Sequence, residues 1–431
     1  MPTPNPQTVQ QLNNILYTYL WDNKPDKINR IQISQDFLNG GLKMINLINF
    51  IKALKTSWIR KLVQGGNPVN PLWMKLFELT IFPVYKLVNF GPLWCKSIKS
   101  RISNDFWVSV LESWIDVTNA CHLVSFNEAL QSPLWYNSNL APYDLYFSNW
   151  FRKGIHTVSD VVRSNSIEVK SFQELKLEYS FPKMNLLEYY RVRGLLTNFF
   201  NEHKDDIEIN HQRPQIPQHI KILFKNKKGT RDMYNALNYS RTNPKMKLKW
   251  NRDLNITLND INWKQVFRIC FKTIQDPSTI WLQYRILFRI IGTQELLYLI
   301  KTAHSPNCRM CKEYNESILH LFVECRHTRD LWQNFQNMVK NITGLNVPID
   351  KTTIILGYLL NDSNHKSINT VILCVKQYIY KCFIKNHHLN VYNLYKYIQK
   401  VYIEQELVSR TEGYFDIFQN HWKMWRPFLD L

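Results

Sequence analysis

Apolar positions recur along most of this chain at helical spacing, in blocks parted by short polar breaks. Residues 7–21 form a first amphipathic block, a polar stretch follows around Pro25, and Gly40-Gly41 supplies a turn. From Leu47 the series Leu47, Phe50, Ile51, Leu54, Trp58 and Leu62 steps at helical spacing, with Asn46 where an N-cap belongs. That spacing predicts a helix whose apolar face is covered. Gly65-Gly66-Asn67-Pro68 marks a boundary. Beyond it, to about Phe200, the chain is rich in aromatics. Trp73, Trp94, Trp107, Trp114, Trp135 and Trp150 read as core, because rings of that size bury large areas. Residues 155–187 read as a helix-rich unit broken at Ser164-Asn165-Ser166, and Tyr189, Tyr190, Arg191 and Arg193 lie on a helix running towards Phe200.

Between 202 and 249 large apolar residues thin out, and Pro214, Pro217 and Pro244 appear. Helical patterning resumes at 260–301, with the stripe Trp263, Val266, Phe267, Cys270, Ile274 and then Trp281, Tyr284, Leu287, Phe288, Ile291. Further helices are expected at 331–342, 368–384 and 391–408, and no repeat of fixed period is present. Only 12 glycines punctuate 431 residues, which favours helices over many short strands. The expected fold is mainly α, a multi-domain helical array divided as 1–64, 65–201, 202–249 and 250–431.

Charge adds a partner class. Lys and Arg number 54 against 34 Asp and Glu, a formal +20, so the protein is drawn to polyanions at moderate salt, nucleic acid first among them. A Lys-rich composition that merely solvates helix faces gives the same total. Within 221–249 the excess is local: Lys221, Lys225, Lys227, Lys228, Arg231, Arg241, Lys245, Lys247 and Lys249 are opposed only by Asp232, with turn signals at Lys228-Gly229 and Asn243-Pro244. The pattern suits a mobile connector that tracks phosphates through Lys225, Lys227, Lys228, Arg231, Lys245, Lys247 and Lys249, with Tyr234, Tyr239 and Trp250 available to stack on bases. A solvated linker that binds nothing fits the same charges.

One motif carries chemistry. Cys308 and Cys311 form a Cys-x-x-Cys pair, followed after eight residues by His320 and after four more by Cys325. Zinc needs four soft or borderline donors converging tetrahedrally; a two-residue gap presents both thiolates from one tight turn, and a four-residue gap spans about one helical turn. Leu319, Leu321 and Phe322 would root the second half in a core, with Leu331-Trp332 packing behind it, in a zinc-knuckle region at about 304–332. His304 and His327 are close enough to substitute for His320. A redox pair would want a thioredoxin-like βαβ context, which is absent here. Four protein ligands leave no open position, so the expected Zn2+ is structural.

Other chemistry is excluded by what the sequence lacks. The only adjacent acids, Asp205-Asp206, sit in a polar stretch without a hairpin pattern, so they do not form the paired carboxylates of a polymerase. There is no phosphate-binding Gly-rich loop and no Gly-x-Ser-x-Gly turn, and His387-His388 reads as a surface pair. Eight cysteines with only three clustered are no secreted disulfide framework. No signal peptide is evident, and no window reaches the 18 or so apolar residues of a membrane span. The expectation is an intracellular protein, nuclear or cytoplasmic, that meets no membrane.

Several segments, in order, resemble the C-terminal region of LINE-type (non-LTR) retrotransposon polyproteins. Leu20-Trp21-Asp22-Asn23-Lys24-Pro25, Ile28, Gly40-Gly41-Leu42 and the helix with Ala53 and Trp58 resemble the stretch after the polymerase palm, where the thumb lies. Pro133-Leu134-Trp135-Tyr136-Asn137, Trp150, Gly154-Ile155, Asp160 and Ser171-Phe172 are similar to the following helical region. Trp250, Leu254, Trp263, then Cys308, Cys311, His320, Cys325 and Trp332 resemble the C-terminal domain and its zinc knuckle. The order of the pieces is more telling than any one, and only the knuckle is individually distinctive. The family's endonuclease, its polymerase fingers and palm, and the Tyr/Phe-x-Asp-Asp carboxylates have no counterpart in this sequence.

The resemblance implies a non-catalytic segment that helps hold template RNA and target DNA during reverse transcription, beside a reverse transcriptase core supplied by the parent polyprotein. Its motif falls on Cys308, Cys311, His320 and Cys325; the basic run at 221–249 matches no family motif. A helical scaffold docking on a separate polymerase, or a decayed reading frame, remain alternatives.

Overall fold

The computed structural model describes every residue except 1–3, 65–71, 81–82, 84, 122–125, 164–167, 203–215, 226, 240–244, 258–259, 345, 361–364 and 430–431. The turn at Gly65-Gly66-Asn67-Pro68, the break at Ser164-Asn165-Ser166, Asp205-Asp206, Pro214, Arg241 and Asn243-Pro244 thus lie outside the described residues. The chain is a mainly α, multi-domain helical array. Among the described residues, β pairing is confined to isolated bridges such as Phe90 with Trp135 and Asn307 with Asn315, and no helix is long and apolar enough to cross a membrane. The chain divides into two units, Met1–Lys24 with Ile45–Tyr239, and Pro25–Met44 with Ser240–Leu431.

In the first unit, Asn5 caps helix Pro6–Leu20 by accepting from Gln7 N at 2.9 Å. Helix Leu47–Gln64 opens as its sequence predicts, Asn46 Oδ1 accepting from Asn49 N at 3.2 Å. Its buried face is not the expected one. Ala53, Thr56 and Ile59 are fully buried, whereas Phe50 and Leu54 are exposed. The helix packs against both Asp105–Ala120 and Gly229–Asn238, and the small Ala53 and Thr56 side chains let neighbouring helices approach.

The tryptophans are core: Trp94, Trp114, Trp135 and Trp150 are buried and Trp107 is partly so, while the Trp73 side chain lies outside the described ones. Their polar edges are satisfied, Trp135 Nε1 donating to Ile155 O at 2.7 Å and Trp150 Nε1 to Glu188 Oε2 at 3.0 Å. Residues 155–187 are less helical over their described part than their pattern predicts, with a 3-10 turn at Val158–Val161 and the helix Phe172–Glu178 before helix Leu186–Glu202 begins. Capping boxes, Thr157 with Asp160 and Ser171 with Glu174, mark fresh starts there.

The stretch expected to be a mobile connector is instead largely helical over its described residues: Gln218–Leu223 and Gly229–Asn238 in the first unit, Lys245–Leu254 in the second. Ile222, Leu223 and Met233 join the first unit's core. A few apolar side chains placed on the inner faces outweigh the polar average of the segment.

In the second unit, the 3-10 turn Phe37–Asn39 lies on helix Trp263–Lys272. Gly40 adopts φ +77°, and a Cβ there would stand 2.5 Å from Phe267 Cζ, so this close approach needs glycine. Tyr284 OH donates to Gly40 O at 3.3 Å. Residues 1–64 read as one block in sequence, yet Pro25–Met44 belongs to this second unit. Asn262 and Asp276 cap helices Trp263–Lys272 and Pro277–Leu287. The other expected helices are present as Arg326–Thr343, His365–Lys385 and Val391–Thr411. Helix His365–Lys385 is buried continuously over residues 367–379, with Pro277–Leu287, Val391–Thr411 and Phe415–Trp422 packed on it. Within it Lys376, 1% exposed, donates to Gln283 Oε1 at 2.5 Å, and burial pushes its pKa down to about 7.

Candidate metal centre

Cys308, Cys311, His320 and Cys325 converge in the second unit: their donor atoms all lie within 4.8 Å of one another, and all four residues are buried. His320 Nε2 stands 3.3 Å from Cys311 Sγ. Sulfur at about 2.3 Å and nitrogen at about 2.0 Å from a tetrahedral zinc ion would be roughly 3.6 Å apart, so little movement is required. The cluster is a Cys3His set geometrically consistent with a structural zinc site, and it takes His320, with neither His304 nor His327 in the group. Four protein donors complete the tetrahedron and leave no place for a reacting water.

Local backbone explains the convergence. Cys308 N donates to Tyr314 O and Lys312 N to Cys308 O, both at 2.8 Å, with Lys312 at φ 61°; the resulting tight turn points the N–H groups of Met310 and Cys311 at the Cys308 sulfur. The second half is a π turn, His320–Glu324, in which Cys325 N donates to His320 O at 2.9 Å. This wider turn, rather than an α turn, is what brings ligands five positions apart to one point. Cys325 then takes the N-cap position of helix Arg326–Thr343 without a side-chain cap hydrogen bond, and the nearby N–H groups of His327 and Thr328 help lower its thiol pKa. Leu321 and Phe322 are fully buried, and Trp332 Nε1 donates to Phe322 O at 2.7 Å, packing behind the site as the spacing predicts.

The bond to Cys325, then burial, pushes the Cys308 thiol up, and the same bond pushes Cys325 down. A dication would draw the thiols to thiolates. Burial lowers the His320 pKa, a shift towards the neutral imidazole that ligates metals.

Sequence reading missed Glu316. This fully buried carboxylate accepts from Gln294 N at 2.7 Å through Oε1 and from Arg309 N at 3.0 Å through Oε2. It ties the Cys308–Cys311 turn to the start of helix Gln294–Leu299. Its one signal in the sequence is its position between two ligands. Glu316→Ala would strand two buried N–H groups, at about 1–3 kcal/mol each. Zinc affinity is expected to fall about 10–100-fold, as when other outer-shell support is removed; competition against a chromogenic chelator would read this, and unaltered affinity would remove Glu316 from the site.

The seven basic residues singled out in the sequence divide between the units. Lys225, Lys227, Lys228 and Arg231 are exposed in the first, with Lys225 paired to Asp232. Lys245 and Lys249 are exposed in the second, whereas Lys247 is half-buried, its ammonium 5.8 Å from the Trp263 ring centroid. Of the aromatics expected to meet bases, Trp250 is fully buried, donating from Nε1 to Leu287 O at 2.8 Å under the Arg289 guanidinium. Tyr234 OH accepts from Asn46 N at 2.9 Å, and Tyr239 alone of the three is exposed. Helical phase sets these outcomes, since Met246 and Trp250 define the inner face of helix Lys245–Leu254 and Lys247 borders it. His387 and His388 are exposed. No protein-family model matches this chain, and no curated protein matches it.

Proposed function

We propose that this chain is a non-catalytic nucleic-acid-binding segment, corresponding to the C-terminal part of a LINE-type retrotransposon polyprotein and supporting template RNA and target DNA during reverse transcription. The turn around 225–231 carries this reading. Four cations stand exposed there, while helix Leu47–Gln64 holds the backbone beneath them, Arg60 Nη1 and Gln64 Nε2 donating to Lys225 O at 3.1 and 2.9 Å. Cations on a backbone already held in place meet phosphates without the entropic cost of ordering a loop. Convergence of the four ligands of the knuckle, one of the segments that carry the family resemblance, is consistent with the same reading. The metal's part is structural.

Changing Lys225, Lys227, Lys228 and Arg231 together to Ala is expected to reduce the slope of log K against log salt by about 3, since each phosphate no longer neutralised lowers it by roughly 0.7–0.9. Titrating a labelled single strand and a duplex over a salt series measures this. An identical slope in the variant would take the 225–231 turn out of the interface.

A further inference from the structure

In the second unit, the first turn of helix His365–Lys385 and the chain from helix Phe415–Trp422 into the next 3-10 turn enclose an open cleft of about 610 Å³. Lys366 and Lys423 reach it from these separate elements, with Ser367 and Asn420 beside them as neutral hydrogen-bonding groups. Ile417 and Met424 form an apolar wall. Among the described residues no carboxylate lines the cleft, and neither lysine has an ion-pair partner. Both lysines are exposed, so neither charge has been buried against the core.

His421 reports the local field. Its Nε2 lies 2.9 Å from Thr370 Oγ1, and burial, with Lys366 adding repulsion, pushes its pKa down to about 4. At neutral pH it is an uncharged part of the wall, and the positive charge of the cleft comes from the two lysines. Two ammonium groups from separate elements, neutral hydrogen-bonding groups and an apolar wall together fit a ligand with a compact anionic end and a less polar body.

We propose that this cleft binds the phosphate monoester of a nucleoside, Lys366 and Lys423 holding the phosphate and Ile417 and Met424 contacting the base. A free nucleotide and the 5′-phosphorylated end of a strand present the same chemistry. The site goes beyond the nucleic-acid reading above and does not depend on it, since it uses none of the 225–231 cations.

The test is calorimetric binding of adenosine 5′-monophosphate and of adenosine to the full chain. The monophosphate is expected to bind, and adenosine at least tenfold more weakly. Lys366→Ala and Lys423→Ala should each weaken the monophosphate by about tenfold or more, the scale of one charge-assisted hydrogen bond. Asn420→Asp, at an exposed position, should give the same loss by adding a carboxylate, and it keeps the test decisive if a lysine variant folds poorly. Lys227→Ala, matched in charge removed, should leave monophosphate binding intact. Competition by a 5′-phosphorylated oligothymidine, and not by its unphosphorylated form, would assign the source to a strand end; competition by neither would assign it to a free nucleotide. Equal affinity for adenosine and its monophosphate, no monophosphate binding, or an equal loss in the charge-matched variant would each overturn the assignment.

Discussion

The purified chain is expected to carry one zinc ion per molecule, and Cys308→Ser with Cys311→Ser is expected to lose both that ion and the order of the residues built on it. The affected region includes the 308–316 turn, the His320–Glu324 π turn and the start of helix Arg326–Thr343, because each meets the others at the sulfur atoms. Structural zinc contributes about 10–16 kcal/mol of apparent folding free energy in isolated finger peptides. In this larger unit a part of that, roughly 5 kcal/mol, would lower the melting midpoint by about 10–20 °C. Elemental analysis with a calorimetric melt, with and without chelator, measures both. A metal-free preparation melting like the wild type, with the serine variant indistinguishable from it, would sink the structural-zinc assignment.

Lys376→Met is expected to remove a pH-dependent loss of stability. Burial holds the folded-state pKa of Lys376 at about 7, against an ordinary lysine value of 10.5. Between those values the unfolded chain keeps a proton that the folded chain has shed, so stability from this group rises with pH through that window and is lowest below it. The full span is on the order of 5 kcal/mol, approached at just over 1 kcal/mol per pH unit. Buried Cys270, whose thiol pKa is pushed up by burial, works in the opposite sense at higher pH. Denaturant melts of wild type and variant should therefore be compared between about pH 7 and 8, below the ordinary cysteine pKa of about 8.5. Wild-type stability should climb there while the variant stays flat and, near pH 7, the more stable. Parallel profiles would show that Lys376 enters the core without the stated desolvation cost.

Much of the metal site was legible in one dimension. Spacing of Cys308, Cys311, His320 and Cys325 named the donors, and the apolar residues after His320 named the support. The choice of His320 over His304 and His327 needed the folded backbone, in which the π turn starting at His320 brings that imidazole to the three thiols. Glu316 was marked only by its position between two ligands, because its role depends on Gln294 N and Arg309 N arriving together. The basic run was legible as charge but not as shape. Apolar Ile222, Leu223 and Met233 decide that its first part is packed helix, and Trp250 decides that Lys247 is turned aside.

By itself the sequence determined the mainly α class, the cap at Asn46, the long C-terminal helices and the four metal donors, because capping, periodicity and close ligand spacing act within a few residues. Tertiary structure alone decided that Ala53, Thr56 and Ile59 face inward, that Pro25–Met44 belongs with the C-terminal half, that Lys376 is buried, and that Lys366 and Lys423 share a cleft. Burial and electrostatic environment depend on which surfaces meet, and residues distant in the chain set that.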